Sequence, residues 1–312
     1  MAQMVKTAGI DVSKPWLDVA IWPTREAIRV SRDEAGITVL IAWFTEHEVI
    51  RVGLEASGGY DRTVTDALQA AGFEVATLNP LRVRRFAEAK GRLAKNDTAD
   101  ARVIAQFTAV MVEDVPPPRR RELDALAELL TYRRQLKGWG TDCANQLEHL
   151  RDGALRKKIE RQRAGFEREL KQIDRQLADL VAKHDDWNAL AHRLRSVPGV
   201  GPVVSATLIA LLPELGALSR RAIASLVGLA PFDRDSGGHH GERHIKGGRK
   251  LVREVLYMAA VSARTHNPVI AAFARRLEGK ESEVILTACM RKLLVILNAM
   301  VRDGTDWRAA AA

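Results

Sequence analysis

Two carboxylates occur on predicted strands near the N-terminus, each within an otherwise apolar run. In KTAGIDVS (6–13), strand alternation places Asp11 on the same face as Thr7 and Gly9. In VIRVGLEAS (49–57), the same alternation places Glu55 on the face opposite Leu54. Each predicted strand therefore directs one carboxylate out of an apolar setting.

Two more carboxylates lie three residues apart in KNDTADA (95–101). If Asn96 caps a helix, Asp97 and Asp100 are neighbours on one helical face. The helix dipole offsets part of their charge. An acid at a helix start is often only a cap or a dipole partner, and this interpretation stays open for Asp97 taken alone.

Four acids that converge need cations to hold them together. Two like charges near 4 Å repel by roughly 4 kcal/mol at an effective dielectric of 20. Ligand sets made only of oxygen favour Mg²⁺ or Mn²⁺, and two such ions about 3.5–4 Å apart form the clamp that phosphodiester chemistry uses. The sequence therefore predicts a metal site formed by Asp11, Glu55, Asp97 and Asp100, with Mg²⁺ or Mn²⁺ as the cofactor.

A serine in a glycine-rich segment is the candidate nucleophile. Ser236 precedes two glycines in LAPFDRDSGGHHGERHIKGGRK (229–250), which has too many glycines and charges to be buried. Loop serines are usually turn formers, but basic residues that can hold a phosphate follow this one. A serine hydroxyl needs a base or a metal to activate it, and Asp235, His239 and a metal held by the acids are all candidates.

Two basic segments predict a polyanionic partner. The formal charge is +9, and the excess cations come in runs. Segment 81–95 has six cations against Glu88 alone, so phosphate contact is favoured over a merely solvated helix face. The histidines of the second segment lack a cysteine or acid at ligand spacing, which disfavours zinc. The predicted nucleic-acid contacts are Arg82, Arg84, Arg85, Lys90, Arg92, Lys95, Arg243, Lys246, Arg249, Lys250 and Arg253.

Hydrophobic periodicity predicts the elements that position these groups. Before residue 115 the order is three strands, a helix, a strand, a helix, a strand and then helices, which predicts an α/β domain with a mixed sheet. The prolines of VPPPRRR (115–121) cannot continue a helix, so we place a domain boundary there. The predicted domains are 1–114, 115–195 and 196–312.

Long helices are predicted from Leu123 to Arg195. One of them has an apolar seam at coiled-coil spacing, which an antiparallel helix of the same chain or a second subunit could cover, and an oligomer is the favoured outcome. The seam residues are Leu155, Ile159, Phe166, Leu170, Ile173, Leu177 and Leu180. The following SVPGVGP (196–202) has the layout of a helix-hairpin-helix, whose backbone N–H groups can approach a phosphate.

Cysteine use and hydropathy favour a reducing cytosol. Cys143 and Cys289 give neither a disulfide framework nor metal spacing. The N-terminus lacks the features of a signal peptide. Prolines and glycines interrupt one long apolar stretch, and Arg291 and Lys292 interrupt the other, so no membrane span is expected.

Several ordered motifs together resemble one family. GIDVSK, GLEASGGY, NPLRVRRFAEAKGRLAKNDTADA, SVPGVGP, LVGLAPFDRDSGGHHGERHIKGGR and LYMAA resemble the DEDD-type transposases of bacterial insertion sequences, the one-hundred-and-ten class that includes Piv-like DNA invertases. The resemblance extends from about residue 5 to 300. It implies a RuvC-like ribonuclease H fold for the first domain, a coiled-coil arm, and a transposase domain that carries the serine.

The resemblance also implies a mechanism and partners. The family's four acids match Asp11, Glu55, Asp97 and Asp100, and its nucleophilic serine matches Ser236. Members recombine DNA through a covalent phosphoserine, guided by a structured bridge RNA that pairs with target and donor DNA. They act as tetramers, so a dimer that assembles to a tetramer is expected, in the bacterial cytoplasm and on the nucleoid when active.

Three other functions each explain only part of the sequence. A RuvC-like nuclease would use the four acids and a water, and would leave Ser236 unexplained. An actin-like sugar kinase would place glycine and threonine just after the first aspartate, whereas Val12 and Ser13 follow here. An RNA-binding protein without catalysis would not need four acids close to a polyanion.

Overall fold

The chain forms two compact units, Met1–Arg119 and Arg120–Ala312. The computed structural model describes residues 5–91, 97–113, 115, 122–232 and 244–308, with the side chains of 97–99 outside that description. The predicted order of a mixed α/β sheet followed by a mostly helical region is confirmed. The predicted boundary near residue 115 and the one at 195 stay predictions.

The first unit is built on a five-stranded mixed sheet. Its strand order is β3-β2-β1-β4-β5, with β1, β2 and β3 antiparallel and β4 and β5 parallel to β1. The central strands β1 and β4 are covered on both faces, which explains their nearly continuous apolar sequences. The elements are β1 Thr7–Val12, β2 Trp16–Trp22, β3 Ala27–Ser31, α1 Glu34–Glu46, β4 Arg51–Glu55, α2 Asp61–Ala70, β5 Glu74–Leu78, α3 Pro80–Ala89 and α4 Asp97–Met111.

Helices cover the two faces of this sheet separately. On one face, Ile10 and Leu54 pack against α1 and α2, where Leu40 and Leu68 are fully buried. On the other face, β5, α3 and α4 form a smaller core that includes Leu78 and the residues around it. Strand alternation therefore separates a purely apolar face from the face that carries the acids.

The second unit has one extensive core shared by its helices. Buried residues from Leu123 in α5 to Met300 in α12 belong to a single apolar cluster. The elements are α5 Glu122–His149, α6 Gly153–Ala182, α7 Asp185–Arg195, α8 Pro202–Leu211, α9 Arg220–Val227, β6 Pro231–Phe232, β7 His244–Ile245, α10 Lys250–His266, α11 Pro268–Arg275 and α12 Ser282–Asp303.

Helices α5 and α6 form an antiparallel hairpin within one chain. Arg133 binds Asp174 with a 2.6 Å contact near the base, and Arg156 donates to the Leu147 carbonyl at 2.6 Å near the tip. The seam residues Ile173 and Leu177 are buried in this hairpin and the adjoining core. This is one of the two arrangements that the sequence left open for the seam.

Helix α12 has the length and hydropathy of a membrane span, the only described helix that does. Its inward residues, among them Cys289, Leu293 and Leu297, are completely buried in the core of the second unit. This burial is the behaviour of a central helix in a globular core. Cys143 is buried as well, and neither cysteine forms a disulfide.

Candidate active site

Asp11 and Glu55 lie at the ends of two neighbouring strands. Strands β1 and β4 are parallel, with register from Thr7↔Arg51 to Ile10↔Leu54, so Asp11 and Glu55 come one step after the last pair. Both side chains are half-buried. Because parallel strands end at the same edge of a sheet, both carboxylates lie at that edge and on one face.

Helix α4 lies directly on this face because two glycines leave room for it. A Cβ atom on Gly9 would come within 2.1 Å of the Ala105 backbone nitrogen, and one on Gly53 within 1.9 Å of the Thr108 hydroxyl oxygen. Thr7 also donates a 3.0 Å hydrogen bond to the Ala105 carbonyl. The backbone of α4 at Gly9 and the Thr108 side chain at Gly53 therefore approach the sheet more closely than any residue larger than glycine would permit.

The direction of α4 determines where its own acids lie. Thr7, at the start of β1, contacts Ala105 in the second half of the helix. Arg51, at the start of β4, donates to the carbonyl of Val112, just after the helix ends. The helix is therefore antiparallel to β1 and β4. Its N-terminal end lies toward the strand ends that carry the first two acids.

The N-terminal end of α4 supplies the other two acids of the predicted set. Asp97 is its first residue, and Asp100 follows one turn later with a half-buried side chain. The side chain of Asp97 and the predicted cap Asn96 lie outside the described residues. The structure thus brings Asp100 and the helix terminus to the sheet edge of Asp11 and Glu55.

The donor set has the chemistry of a site for a hard divalent cation. Asp11, Glu55 and Asp100 offer only carboxylate oxygens, which suit Mg²⁺ or Mn²⁺ rather than zinc. Among the side chains that are described, no three acidic, histidine or cysteine groups are close enough together to hold a metal ion. The residue types suit the ion, and the predicted fourth ligand is Asp97.

A further acid beside this edge was missed from the sequence. Asp18 on β2 is the cross-strand partner of Asp11 and is only 6% exposed. Its carboxylate accepts hydrogen bonds of 2.9 and 2.8 Å from Arg29, its partner on β3. A charged residue inside the apolar run WLDVAIW was the signal that could have revealed it.

The segment that carries Ser236 lies outside the described residues, but its two ends are defined. Strands β6 and β7 bracket it and pair antiparallel, with Phe232 opposite His244. Asp235, His239, His240 and Arg243 belong to the same undescribed segment. The pairing brings the two ends of the segment together.

The stretch that follows β7 is fixed to the end of α9 by close backbone contact. Gly228 and Gly248 both have positive φ, 80° and 72°. A Cβ atom on Gly228 would lie 2.1 Å from the Gly247 carbonyl oxygen, and one on Gly248 would lie 2.3 Å from the Gly228 nitrogen. Arg253 donates to the carbonyls of Val227 and Gly247 and ties the same two stretches together.

Nine of the eleven predicted nucleic-acid contacts fall into three groups. Arg82, Arg84, Arg85 and Lys90 are exposed on α3 or at its C-terminus, with Arg84 bound to Glu88 at 3.1 Å. Lys246 and Lys250 are exposed near the start of α10. Arg92, Lys95 and Arg243 lie outside the described residues.

Arg249 and Arg253 differ from the other predicted contacts because their guanidinium groups are already engaged within the chain. Arg249 binds both carboxylate oxygens of Glu214 at 2.5 Å and the Leu211 carbonyl at 2.9 Å. Burial is the largest single influence and raises the pKa of Glu214, but the hydrogen bonds from Arg249, a backbone hydrogen bond and the charge of Arg249 together outweigh it, so the pKa lies below its ordinary value. These arginines position the base of the Ser236 segment, and fewer of their N–H groups remain for a phosphate.

The candidate helix-hairpin-helix connects α7 to α8. Gly199 has φ of 102°, and a Cβ atom there would lie 2.7 Å from the Ala263 side chain on α10. Gly201 caps α8, and no atom of the described residues lies within 4 Å of the position that its Cβ would occupy. Gly199 is therefore required by packing, whereas Gly201 leaves the start of α8 open to a ligand.

Comparison with known proteins defines the class. A family model described as Transposase, of the DEDD type, matches residues 8–155. A second, described as Transposase IS116/IS110/IS902 family, matches residues 191–275. The two matches include the acids of the first unit and the Ser236 segment of the second, so the chain is a DNA transposase or recombinase.

The chain belongs to the IS110 family of transposases and recombinases. It is 27% identical over 314 residues to the pilin gene-inverting protein of Moraxella lacunata, and the match covers 95% of each chain. It is equally similar to the pilin gene-inverting protein of Moraxella bovis. It is 25% identical, over 88% of each chain, to an insertion element IS116 protein of Streptomyces clavuligerus.

Proposed function

We propose that the protein is an RNA-guided DNA recombinase of a mobile insertion sequence, which cuts and rejoins strands through a covalent phosphoserine. The observation that carries the proposal is the convergence of Asp11, Glu55 and the N-terminal end of α4 at one edge of the sheet. Family membership supplies DNA as the substrate. The strand order β3-β2-β1-β4-β5 supports the RuvC-like ribonuclease H assignment of the first unit.

The acids act as ligands in this proposal. Asp11, Glu55, Asp97 and Asp100 would hold Mg²⁺ or Mn²⁺. The bound ion would supply charge stabilisation to the scissile phosphate and its leaving oxygen. The sheet holds two of the ligands rigidly, because β1 and β4 are central strands, and α4 carries the other two.

In this scheme a phosphoserine ester keeps the energy of the broken phosphodiester bond. The Ser236 hydroxyl oxygen attacks the scissile phosphorus and forms a phosphoserine ester, while the sugar oxygen leaves and takes up a proton. A sugar hydroxyl of the exchanged strand then attacks the phosphoserine, restores a phosphodiester and returns the serine. One ester bond forms for each one broken, so no external energy source is needed. Asp235, His239 and the metal held by the acids remain the candidate activators of the hydroxyl.

The partners follow from the same proposal. A bridge RNA would pair with target and donor DNA, and the exposed cations of α3 and of the start of α10 would contact phosphates. The protein would work as a homo-oligomer, a dimer that assembles to a tetramer, with the α5–α6 hairpin as its coiled-coil arm. It would act in the bacterial cytoplasm, on the nucleoid.

A metal-dependent nuclease of RuvC type is the second candidate. Its support is that Asp11, Glu55, Asp97 and Asp100 all belong to the first unit. Such an enzyme would hydrolyse DNA with a water and would not need Ser236.

The discriminating experiment replaces Ser236 with alanine and keeps the acids. Wild-type protein with guide RNA, labelled DNA and Mg²⁺ should form a protein–DNA adduct that survives denaturant, and mass spectrometry should place it on Ser236. Ser236→Ala should form no adduct and no recombinant product. Ser225→Ala, an exposed serine on α9, is the matched control and should behave as wild type. Efficient cleavage by Ser236→Ala, or an adduct on another residue, would favour the nuclease.

A further inference from the structure

The outward face of α6, opposite its seam, is strongly basic. Two residues along a helix differ by about 200° in direction, so a residue two positions from a seam residue points away from the seam. Five such positions carry cations, and we refer to them as the α6 basic stripe. The stripe consists of Lys157, Arg161, Arg168, Lys171 and Arg175.

Four of the acids of α6 are engaged by residues outside the stripe. Glu169 accepts a 2.6 Å hydrogen bond from the Tyr132 hydroxyl of α5, and Asp174 binds Arg133 of α5. The other two acids up to that point pair along the helix, Glu160 with Arg156 and Glu167 with Arg163. Two of these acids therefore join α6 to α5, and the other two are paired with arginines that do not belong to the stripe.

The stripe itself is exposed and has no acidic partner among the described residues. All five side chains are exposed, and none forms an ion pair within the part of the chain that the structure describes. The first acid on the same face is Asp179, one turn beyond Arg175. From Lys157 to Arg175 the stripe is about 27 Å long at the rise of an α-helix.

A solvated helix face would have a different charge pattern. Exposed faces normally alternate the two signs, because opposite charges four residues apart stabilise a helix and like charges destabilise it. Lys157 with Arg161, and Lys171 with Arg175, are like-charge pairs at this spacing. None of these cations forms an ion pair with an acid among the described residues, so a polyanionic partner is the compensation that the charge pattern favours.

We propose that the α6 basic stripe binds the phosphodiester backbone of duplex DNA, as a surface separate from the residues around the reaction centre. A straight row of cations about 27 Å long matches most of one turn of a B-form duplex, which is about 34 Å. A single strand would have to be ordered along the row at an entropic cost. The choice of DNA over RNA rests on the DNA recombinase function, and the row contacts phosphates only, without reading bases.

The test compares three full-length variants with the wild type. Two of them lose the same amount of charge, and the third keeps the wild-type charge. In the first, all five stripe residues are replaced by glutamine. In the second, five exposed cations elsewhere in the same unit are replaced by glutamine, which lowers the net charge equally: Arg220, Arg221, Arg275, Arg276 and Lys280. In the third, the stripe lysines become arginines and its arginines become lysines, which keeps the charge. Binding to a duplex DNA of about 30 base pairs, roughly three helical turns, is measured over a series of salt concentrations.

The expected result is a weakening specific to the stripe. The slope of log affinity against log salt should become shallower by about 0.9 for each phosphate that the variant no longer neutralises, up to about 4.5, and the Kd at about 0.1 M salt should rise tenfold or more. The control variant and the exchanged variant should keep the wild-type slope. Circular dichroism should show equal helix content in all four proteins, since every substituted side chain is exposed.

Two outcomes would overturn the proposal. Equal slopes for the stripe variant and the control variant would mean that the stripe is a solvated face. A weakening seen with an RNA duplex of the same sequence but absent with DNA would assign the stripe to RNA. Binding alone is measured, so the result does not depend on the proposed phosphoserine chemistry.

Discussion

At the scale of single residues, the neighbours of Asp11 matter as much as the predicted ligands. Asp18 lies directly opposite Asp11, and two like charges in that position destabilise a sheet. Arg29 holds Asp18 through two hydrogen bonds and supplies the compensating charge. The carboxylate of Asp18 therefore lies close to Asp11, and Arg29 offsets part of the repulsion between the two carboxylates.

Removal of Arg29 should be more harmful than neutralisation of Asp18. Arg29→Met leaves a buried carboxylate without its main partner and should cost about 2–4 kcal/mol in the free energy of unfolding. Asp18→Asn leaves a guanidinium that is 50% exposed and can be solvated, so it should cost about 1 kcal/mol or less. Urea denaturation of both variants measures the difference. Equal costs would show that the pair does not compensate a buried charge.

Each predicted metal ligand should be required for chemistry but not for folding. Asp11→Ala, Glu55→Ala, Asp97→Ala and Asp100→Ala should each reduce strand cleavage by at least about 100-fold, because fewer carboxylates hold the ion. In the wild type, Mg²⁺ should raise the melting temperature, and in the variants this rise should shrink. Without Mg²⁺ the variants should be as stable as wild type or more stable, since repulsion is relieved.

The matched control for this series is Glu46→Ala, which removes an exposed acid on α1. It should leave cleavage and the Mg²⁺-induced rise unchanged. Wild-type cleavage by two of the four ligand variants would refute the metal-site assignment.

At the scale of elements, the packing of α4 on the sheet positions half of the acids. Gly9→Ala would place a methyl group within 2.1 Å of the Ala105 nitrogen and 2.4 Å of the Ala101 carbonyl oxygen. The helix backbone must move, so we expect a decrease of about 2–4 kcal/mol in stability together with a loss of cleavage. Chemical denaturation and a cleavage assay measure the two effects.

Gly138→Ala is the control for this substitution. Gly138 lies within α5, and no atom of the described residues lies within 4 Å of the position that its Cβ would occupy. Alanine there should stabilise the helix by about 0.5–1 kcal/mol and leave cleavage unchanged. If Gly9→Ala were as well tolerated as this control, α4 would not need its close approach to the sheet.

The ion pair between Glu214 and Arg249 joins the end of α8 to the start of α10. The pKa of Glu214 is lowered from its ordinary value of 4.5, so its folded-state value is below its unfolded-state value. The pair's contribution to stability is therefore complete above pH 4.5 and is lost as the pH falls below 4.5 through the lowered pKa.

Glu214→Gln should remove this pH-dependent contribution. At neutral pH it should cost about 1–2 kcal/mol, and this cost should shrink as the pH is lowered to about 3. Glu278→Gln, at an exposed acid after α11, should show the wild-type pH profile. A cost for Glu214→Gln that stays constant from neutral pH to acid would mean that the pair is not charge-stabilised.

At the scale of the whole molecule, the two halves of the seam should have different roles. Ile173 and Leu177 are buried at the base of the hairpin, whereas Trp139 in its middle and Leu155 near its tip are 43% and 42% exposed. Leu177→Gln should destabilise the fold by about 2–4 kcal/mol. Trp139→Gln with Leu155→Gln should leave the fold intact and lower the mass of the proposed oligomer, measured by light scattering with guide RNA and DNA bound. An unchanged mass would place the assembly surface elsewhere.

Local patterns were enough to predict much of the first unit. Alternation over a few residues placed Asp11 and Glu55 on one face of their strands, because neighbouring side chains on a strand point to opposite sides. The order of strands and helices follows from the same short-range periodicity. The resemblance to a family rested on short motifs, and the family models match the same parts of the chain.

Tertiary structure decided the relations between distant residues. Strand β4 lies beside β1, and α4 is antiparallel to both. These relations depend on contacts between residues tens of positions apart, which no local pattern encodes. The same holds for Arg249, whose partner Glu214 is 35 residues away, and it explains why a cation predicted to contact phosphate is engaged within the chain.

The sequence by itself therefore determined which residues could do chemistry and which face of a strand or helix they occupy. The tertiary structure decided which of those faces meet. The physical reason is that side-chain direction is fixed by the repeat of a single element, whereas neighbours across a sheet or between packed helices are fixed by the burial of many residues at once. Asp18 shows the difference, since its type was visible in the sequence but its place opposite Asp11 came only from the register of two strands.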